Sequence, residues 1–173
     1  MRCTPIFMLP VAVALGCTSA RMATGTTAPI QTDAPVYTVA EANGLARLTI
    51  RMTYRNTTGG PVYLPTCQGP QPPRLQKQVG DQWVVAFAPN VLACEETPIE
   101  VPANTSYDYT FQVVAGMPGT SYLPRFSVSE VPGTYRILWE LFHGAAGEPS
   151  KPVITRDRLP TDQEVSNTFQ LVK

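Results

Sequence analysis

The clearest pattern in the chain runs over residues 45–56. Ala46, Leu48, Ile50, Met52 and Tyr54 alternate with Arg47, Thr49, Arg51, Thr53 and Arg55. A period of two marks a strand with one face in a core and the other in water. The same alternation returns at 106–114, where Tyr107, Tyr109, Phe111 and Val113 interleave with Asp108, Thr110 and Gln112. It returns again at 133–142, with Tyr135, Ile137, Trp139 and Leu141 on one face. Shorter β-prone runs lie at 36–40, 61–64, 74–79, 82–87, 98–101, 122–128 and 165–172. Gly80-Asp81 between two of them predicts a tight hairpin. Asn56-Thr57-Thr58-Gly59-Gly60-Pro61 and Pro102-Ala103-Asn104-Thr105 are turns by composition. Residues 144–164 read as a long loop. No stretch carries a helical apolar period over the length of a helix. The 18 prolines fall between the apolar runs, where helices would not tolerate them. These elements predict an all-β chain folded as an antiparallel β-sandwich.

Before the first strand, the pattern changes twice. Arg2 precedes an apolar run from Pro5 to Leu15 that includes Pro10. The run is about half the roughly 20 residues that a bilayer-spanning helix needs, so it reads as the core of a signal peptide. Its end, Ala14-Leu15-Gly16-Cys17, resembles the lipobox of bacterial lipoprotein signal peptides. The resemblance implies cleavage after residue 16 and acylation of Cys17, by diacylglycerol on the thiol and a fatty acid such as palmitate. The alternative is an ordinary secretory leader with a chance cysteine. Thr18, in place of an aspartate, points to the outer membrane, with the domain facing the periplasm or the cell surface. Residues 17–34 then form the lipidated N-terminus and a small, polar, flexible linker with a reach of about 20–25 Å. The sandwich domain takes 35–173.

Four cysteines are present. Cys3 leaves with the leader and Cys17 takes the lipid, which leaves Cys67 and Cys94. An even pair in an exported chain reads as one disulfide. It would close 28 residues counted inclusively, worth roughly 3.5 kcal/mol by the chain-entropy argument. A metal pair is the rival, but no further Cys or His stands at ligand spacing.

Pro132-Gly133-Thr134-Tyr135-Arg136-Ile137 resembles the tyrosine corner of immunoglobulin-like domains, in which a tyrosine hydroxyl bonds back to the backbone. Gly133 and Tyr135 would carry that signature. An antibody domain has a cysteine two residues beyond its tyrosine. Here the position is Ile137, and Ile50 or Met52 is the opposite candidate, so packing replaces the inter-sheet disulfide. A second resemblance covers residues 45–142. A strand ending in Asn56-Thr57-Thr58, a hairpin carrying Trp83, Val101-Pro102-Ala103-Asn104-Thr105 and Pro132-Gly133-Thr134-Tyr135-Arg136 are similar to the bacterial intracellular proteinase inhibitor family and related uncharacterised exported domains. Those motifs are turn signals and imply the fold. No inhibitory residue is carried over, and an exported lipoprotein departs from that family's cytoplasmic setting.

Composition narrows the chemistry. Basic and acidic residues balance at thirteen each, and without Arg2 the net charge is −1. No steering of a charged partner follows, and no nucleic-acid partner is expected. The only histidine, His143, has no Gly-x-Ser-x-Gly partner motif. It and Glu140 lie three apart, on opposite faces of a strand. Glu95-Glu96 are either solvated loop acids or a cation-binding or acid–base pair. Arg47, Arg51 and Arg55 line one outward face. They are either a stripe for phosphate or lipid headgroups, or are paired across the sheet with acids such as Asp108. Asn56 and Asn104 stand in formal glycosylation motifs, read here as turn residues.

Two features point to binding. Pro70, Pro72 and Pro73 stiffen the loop after Cys67, and Trp83 rides on the hairpin that follows. If Tyr135, Ile137 and Trp139 face the core, Leu138 and Phe142 face outward as an apolar patch, unless the 144–164 loop covers them. The expectation is a non-catalytic, lipid-anchored envelope protein that binds or assembles with another envelope protein. The membrane is reached through the lipid alone. No cofactor, metal or small-molecule substrate is expected. The alternative is an inhibitor of an exported protease.

Overall fold

The computed structural model describes residues 27–91, 96–148, 151–154 and 157–173. The leader, Cys17, Cys94 and Glu95 lie outside the described residues. The strands are β1 (Ile30–Thr32), β2 (Val36–Thr38), β3 (Ala40–Ala42), β4 (Leu45–Arg55), β5 (Val62–Leu64), β6 (Arg74–Val79) and β7 (Gln82–Phe87). They continue as β8 (Ile99–Val101), β9 (Ser106–Gly116), β10 (Gly133–Leu138), β11 (Ala145–Glu148), β12 (Lys151–Ile154) and β13 (Phe169–Val172), with one 3-10 turn at Thr161–Gln163.

β4 is the centre of the first sheet. Its alternating apolar residues are buried from Ala46 to Tyr54, and its arginines are exposed. β9 pairs with it along its whole length, while β1 and β3 share the opposite edge. The second sheet has the order β2-β13-β10-β6-β7. β5–β8 and β11–β12 are separate two-stranded ribbons. The order β13-β10-β6-β7, facing β1-β4-β9, corresponds to strands G-F-C-C′ facing A-B-E of an immunoglobulin-like sandwich. One pair departs from the expected antiparallel arrangement, because β2 runs parallel to β13.

The core lies between the sheets. Trp139, Tyr54, Tyr135, Phe111, Phe126 and Phe169 are its largest fully buried side chains. Each apolar side chain so buried contributes about 1.5–3 kcal/mol. Ile50, Met52 and Ile137 are all buried, so this interior is apolar where antibody domains place a disulfide. The tyrosine corner forms as expected. The Tyr135 hydroxyl donates to the Val131 carbonyl at 2.6 Å. Burial raises the Tyr135 phenol well above its ordinary pKa, which keeps it a donor. Gly133 is required at this corner: its φ is +144°, and an added Cβ would stand 2.8 Å from Cε of Lys77.

The structure corrects several expectations. Ile30–Thr32, assigned above to the flexible linker, is a strand, with Ile30 fully buried and paired with Tyr54. Residues 122–128 form no strand: only Arg125 bridges, to Gly116, and Tyr122 and Leu123 stay exposed. β10 ends at Leu138, and the chain beyond it pairs with a later segment rather than with β6. The 144–164 stretch is no plain loop. It carries β11 and β12, then returns beside residues 137–143 through Leu159 N–H to Leu141 C=O and Trp139 N–H to Glu164 C=O, 2.8 and 2.9 Å. Leu138 is buried rather than outward, beside Pro72, Pro73 and Val85, and the return pairs with its backbone edge to edge at Val165. Finally, Asp108 does not pair with the arginines. It stands opposite Thr53 and accepts from its hydroxyl at 2.6 Å.

Candidate binding groove

Residues 65–73 leave β5 and reach β6 by a compact loop. Cys67 N–H bonds Gly69 C=O and Gln71 N–H bonds Pro65 C=O, both at 2.8 Å. Gln68 takes a positive φ of 56° and Gly69 one of 116°, which forms the tight tip. The loop is tied to its neighbours at both ends. Thr66 donates its hydroxyl to Thr97 C=O at 2.8 Å, and Glu96 accepts the Gln68 N–H at 2.8 Å. Behind the tip, the buried Trp139 indole donates to Gln71 C=O at 2.8 Å. Its ring packs against Tyr109 and Tyr107, with centroids 5.1 and 6.2 Å away. The loop therefore rests on the core through a core residue, and Pro73 is buried rather than projecting.

A groove of about 430 Å³ opens beside this loop. Pro72 and Pro73 form one wall, Val85, Pro89 and Val91 another, and Leu138 and Glu140 contribute to its lining. Val85 and Val91 are 42% and 44% exposed, so apolar surface faces solvent here. The rim is charged. Glu140 bonds Arg74 at 3.2 Å and Arg158 at 3.3 Å.

Arg158 continues inward to Glu164, which is fully buried. Its Nε lies 2.8 Å from both carboxylate oxygens of Glu164. The Leu141 N–H donates to the same carboxylate at 2.9 Å. Hydrogen bonding to Glu164 holds the Arg158 guanidinium above its usual pKa. A buried charge is tolerable only when paired and hydrogen-bonded, and both conditions are met. The network locks the returning 157–166 segment onto the residues that line the groove.

Of the residues singled out from the sequence, Pro72, Pro73 and Leu138 meet in this groove. Pro70 bridges Thr66 within the loop. Trp83 lies outside the groove lining, half-buried, with the Arg136 guanidinium 4.5 Å from its ring centroid. Phe142 sits between Tyr63 and Arg158 and is partly covered. His143 is exposed, and among the described residues no three acids, histidines or cysteines converge on a metal position. Asn56 is a buried turn residue. Its amide donates to Gly60 and Val101 carbonyls, and its oxygen accepts from Thr58. Sequence reasoning missed Glu164, Arg158, Val85 and Val91. Glu164 carried a faint signal, as an acid immediately before a strand-forming run.

Fold and groove together define an immunoglobulin-like sandwich with a braced edge groove. No family model matches the chain, and no curated protein or solved structure is found to be similar to it.

Proposed function

We propose that the chain is a lipid-anchored, non-catalytic module of the bacterial cell envelope, and that it binds another envelope protein through the groove beside the 65–73 loop. The observation that carries this is the groove itself, where exposed Val85 and Val91 stand against a proline wall that Trp139 fixes to the core. Apolar surface held in a rigid cleft with a polar rim is what a protein or peptide anchor needs. The anchor rests on the Ala14-Leu15-Gly16-Cys17 motif, with the outer membrane favoured by Thr18. The bonds from Thr66 to Thr97 and from Gln68 to Glu96 support a Cys67–Cys94 disulfide, since they hold the flanks of the two cysteines together. Cys67 itself is engaged rather than free.

A photoreactive residue at position 91 tests the groove in cells. One specific heterologous adduct is expected, and none when the residue is placed instead at Thr49 on the opposite sheet. Equal labelling at both positions, or none at 91, rejects the reading. Cys17→Ser should release the protein from membranes, and continued attachment would remove the lipid anchor. Inhibition of an exported protease is the second reading, and the structure's loop tip favours it less. Gln68 and Gly69 both have positive φ, unlike the extended backbone that pairs with a partner as an added strand. Failure to slow a panel of proteases is the expected result.

A further inference from the structure

Short of its last residue, Gly116, β9 has a second edge that no described residue pairs with. Its register with β4 is unbroken from Ser106 to Gly116. In such a ladder, successive residues turn their N–H and C=O to opposite sides. Gly116 fixes which residues face away from β4. Its N–H bonds Pro124 C=O and its C=O accepts the Phe126 N–H, both at 2.9 Å and both outside the ladder. Val114, Gln112, Thr110 and Asp108 share its parity, so their N–H and C=O groups also point away from β4. None of these four has a backbone partner among the described residues.

An edge of this length is ordinarily blunted by proline, lysine, a bulge or a covering segment. β9 has no proline, lysine or bulge. Its one charge, Asp108, is occupied by Thr53. The facing edge, β7, is protected differently: Ser127 covers it, with its N–H on Ala86 C=O at 2.8 Å and its hydroxyl on Val85 C=O at 2.7 Å. Beside the open edge, Tyr107 and Tyr109 point towards the core but are only half covered.

We infer that β9 pairs antiparallel with β9 of a second copy, continuing the first sheet across a two-fold axis at Thr110. The occupant follows from self-complementarity. With Thr110 on the axis, the stretch 106–114 overlaps its own image completely. Asp108 then stands opposite Gln112 of the other copy, a carboxylate against an amide, and Ser106 opposite Val114. On the inner face, Tyr109 meets Phe111 and Tyr107 meets Val113, so the half-covered tyrosines gain apolar cover. A shift placing Asp108 on the axis would set two carboxylates face to face. The exposed arginines do not oppose this pairing. Arg51 stands opposite Thr110 within each copy, so the two lie three strand spacings apart, about 14 Å, beyond the Debye length of about 10 Å at 0.1 M salt.

Sedimentation equilibrium of the full chain carrying Cys17→Ser, so that no acyl group contributes, tests this at 0.1 M salt. The expected result is a concentration-dependent dimer. Gln112→Glu sets two carboxylates opposite each other twice per dimer and should weaken it. Gln112→Lys sets a cation opposite Asp108 and should tighten it. Each shift should be about two- to thirty-fold in Kd. Thr110→Lys places two ammonium groups on the axis and should return the chain to monomer, while Thr49→Lys, one strand inward, should leave the dimer intact. A monomer at every concentration, a shift of the same sign for both Gln112 variants, or association indifferent to Thr110→Lys would overturn the inference. The outcome is independent of position 91, so this pairing and the groove can fail separately.

Discussion

Replacing Glu164 by glutamine should destabilise the fold by about 1.5–2.2 kcal/mol, although the change is isosteric. The carboxylate is fully buried and accepts from Leu141 N–H and, through both oxygens, from Arg158 Nε. A glutamine oxygen in the Oε1 position can still accept from both donors, but its NH2 then takes the place of Oε2 and faces the Arg158 Nε–H, so the second bond and the charge that strengthens both are lost. A hydrogen bond to a charged group is worth about 1.5–3 kcal/mol. The Arg158 side chain is 40% exposed, so water recovers part of that for the arginine, and the lower half of the range applies. Glu164→Ala also strands the Leu141 N–H and opens a cavity, and should cost about 3–4 kcal/mol. Arg158→Met leaves a buried carboxylate without its cation and should cost more than Glu164→Gln. Urea titrations followed by tryptophan fluorescence would measure all three, and Tm should fall by about 2–4 °C per kcal/mol. If Glu164→Gln stays within about 0.5 kcal/mol of wild type, or Glu164→Ala costs no more than Glu164→Gln, the network does not brace the fold as described.

Two further perturbations address the core. Tyr135→Phe removes the hydroxyl from the buried Val131 carbonyl and should cost about 1–2 kcal/mol, seen as a lower urea midpoint at unchanged m-value; an unchanged midpoint would remove the corner from the list of stabilising features. The chain should also lose stability in alkali. Burial and the bond to Asp33 push Tyr37 up to about 12, burial alone does the same to Tyr54, and the unfolded value is 10.0. The folded state therefore holds these protons more tightly. Their contribution is fully present below pH 10 and is lost as pH rises towards 12, at about 1 kcal/mol per tyrosine by pH 11. Urea melts at pH 9 and pH 11, with tyrosinate absorbance at 295 nm, would show it; equal stability at the two pH values would contradict the buried, protonated state of these phenols.

The sandwich was legible because its long strands carry their burial in their sequence. β4 and β9 alternate cleanly, Gly80-Asp81 marks the β6–β7 hairpin, and Tyr135 makes its corner with Val131. Short strands were legible only in part: β2, β5 and β8 fall in β-prone runs, whereas β1 and β3 do not. β1 has one buried apolar residue, Ile30, and its stability comes from pairing with Tyr54, which no local pattern contains. β3 was signalled only by Asn43-Gly44, whose φ values of 53° and 74° make the tight turn into β4. The groove was half visible. Pro72, Pro73 and Leu138 stood out as stiff or apolar, but Val85 and Val91 belong to it only through the fold. Leu138 followed the alternation and still came out buried, because Pro72, Pro73 and Val85 gather on the same side of β10. Periodicity reports which side of its own strand a residue occupies, not what later covers that side.

The returning 157–166 segment also bears on binding. The groove is lined by three parts of the chain, residues 65–74, 85–91 and 138–140, and the first and last of these are braced by side-chain bonds. Trp139 indole holds Gln71, the Arg74–Glu140–Arg158 chain spans the rim, and Thr66 holds Thr97. A cleft so braced loses little conformational freedom on binding, and affinity then depends on complementarity rather than on ordering. Trp139→Phe tests the point, since it keeps most of the ring packing against Tyr107 and Tyr109 but removes the donor to Gln71. Stability should fall by about 1 kcal/mol, and hydrogen exchange at residues 67–71 should quicken while β4 and β9 stay protected. The adduct from position 91 should weaken about three- to ten-fold, the cost of ordering a loop that is now free. If exchange in the loop quickens and the adduct does not change, the proline wall contributes nothing to recognition, and the partner must contact the 85–91 side alone.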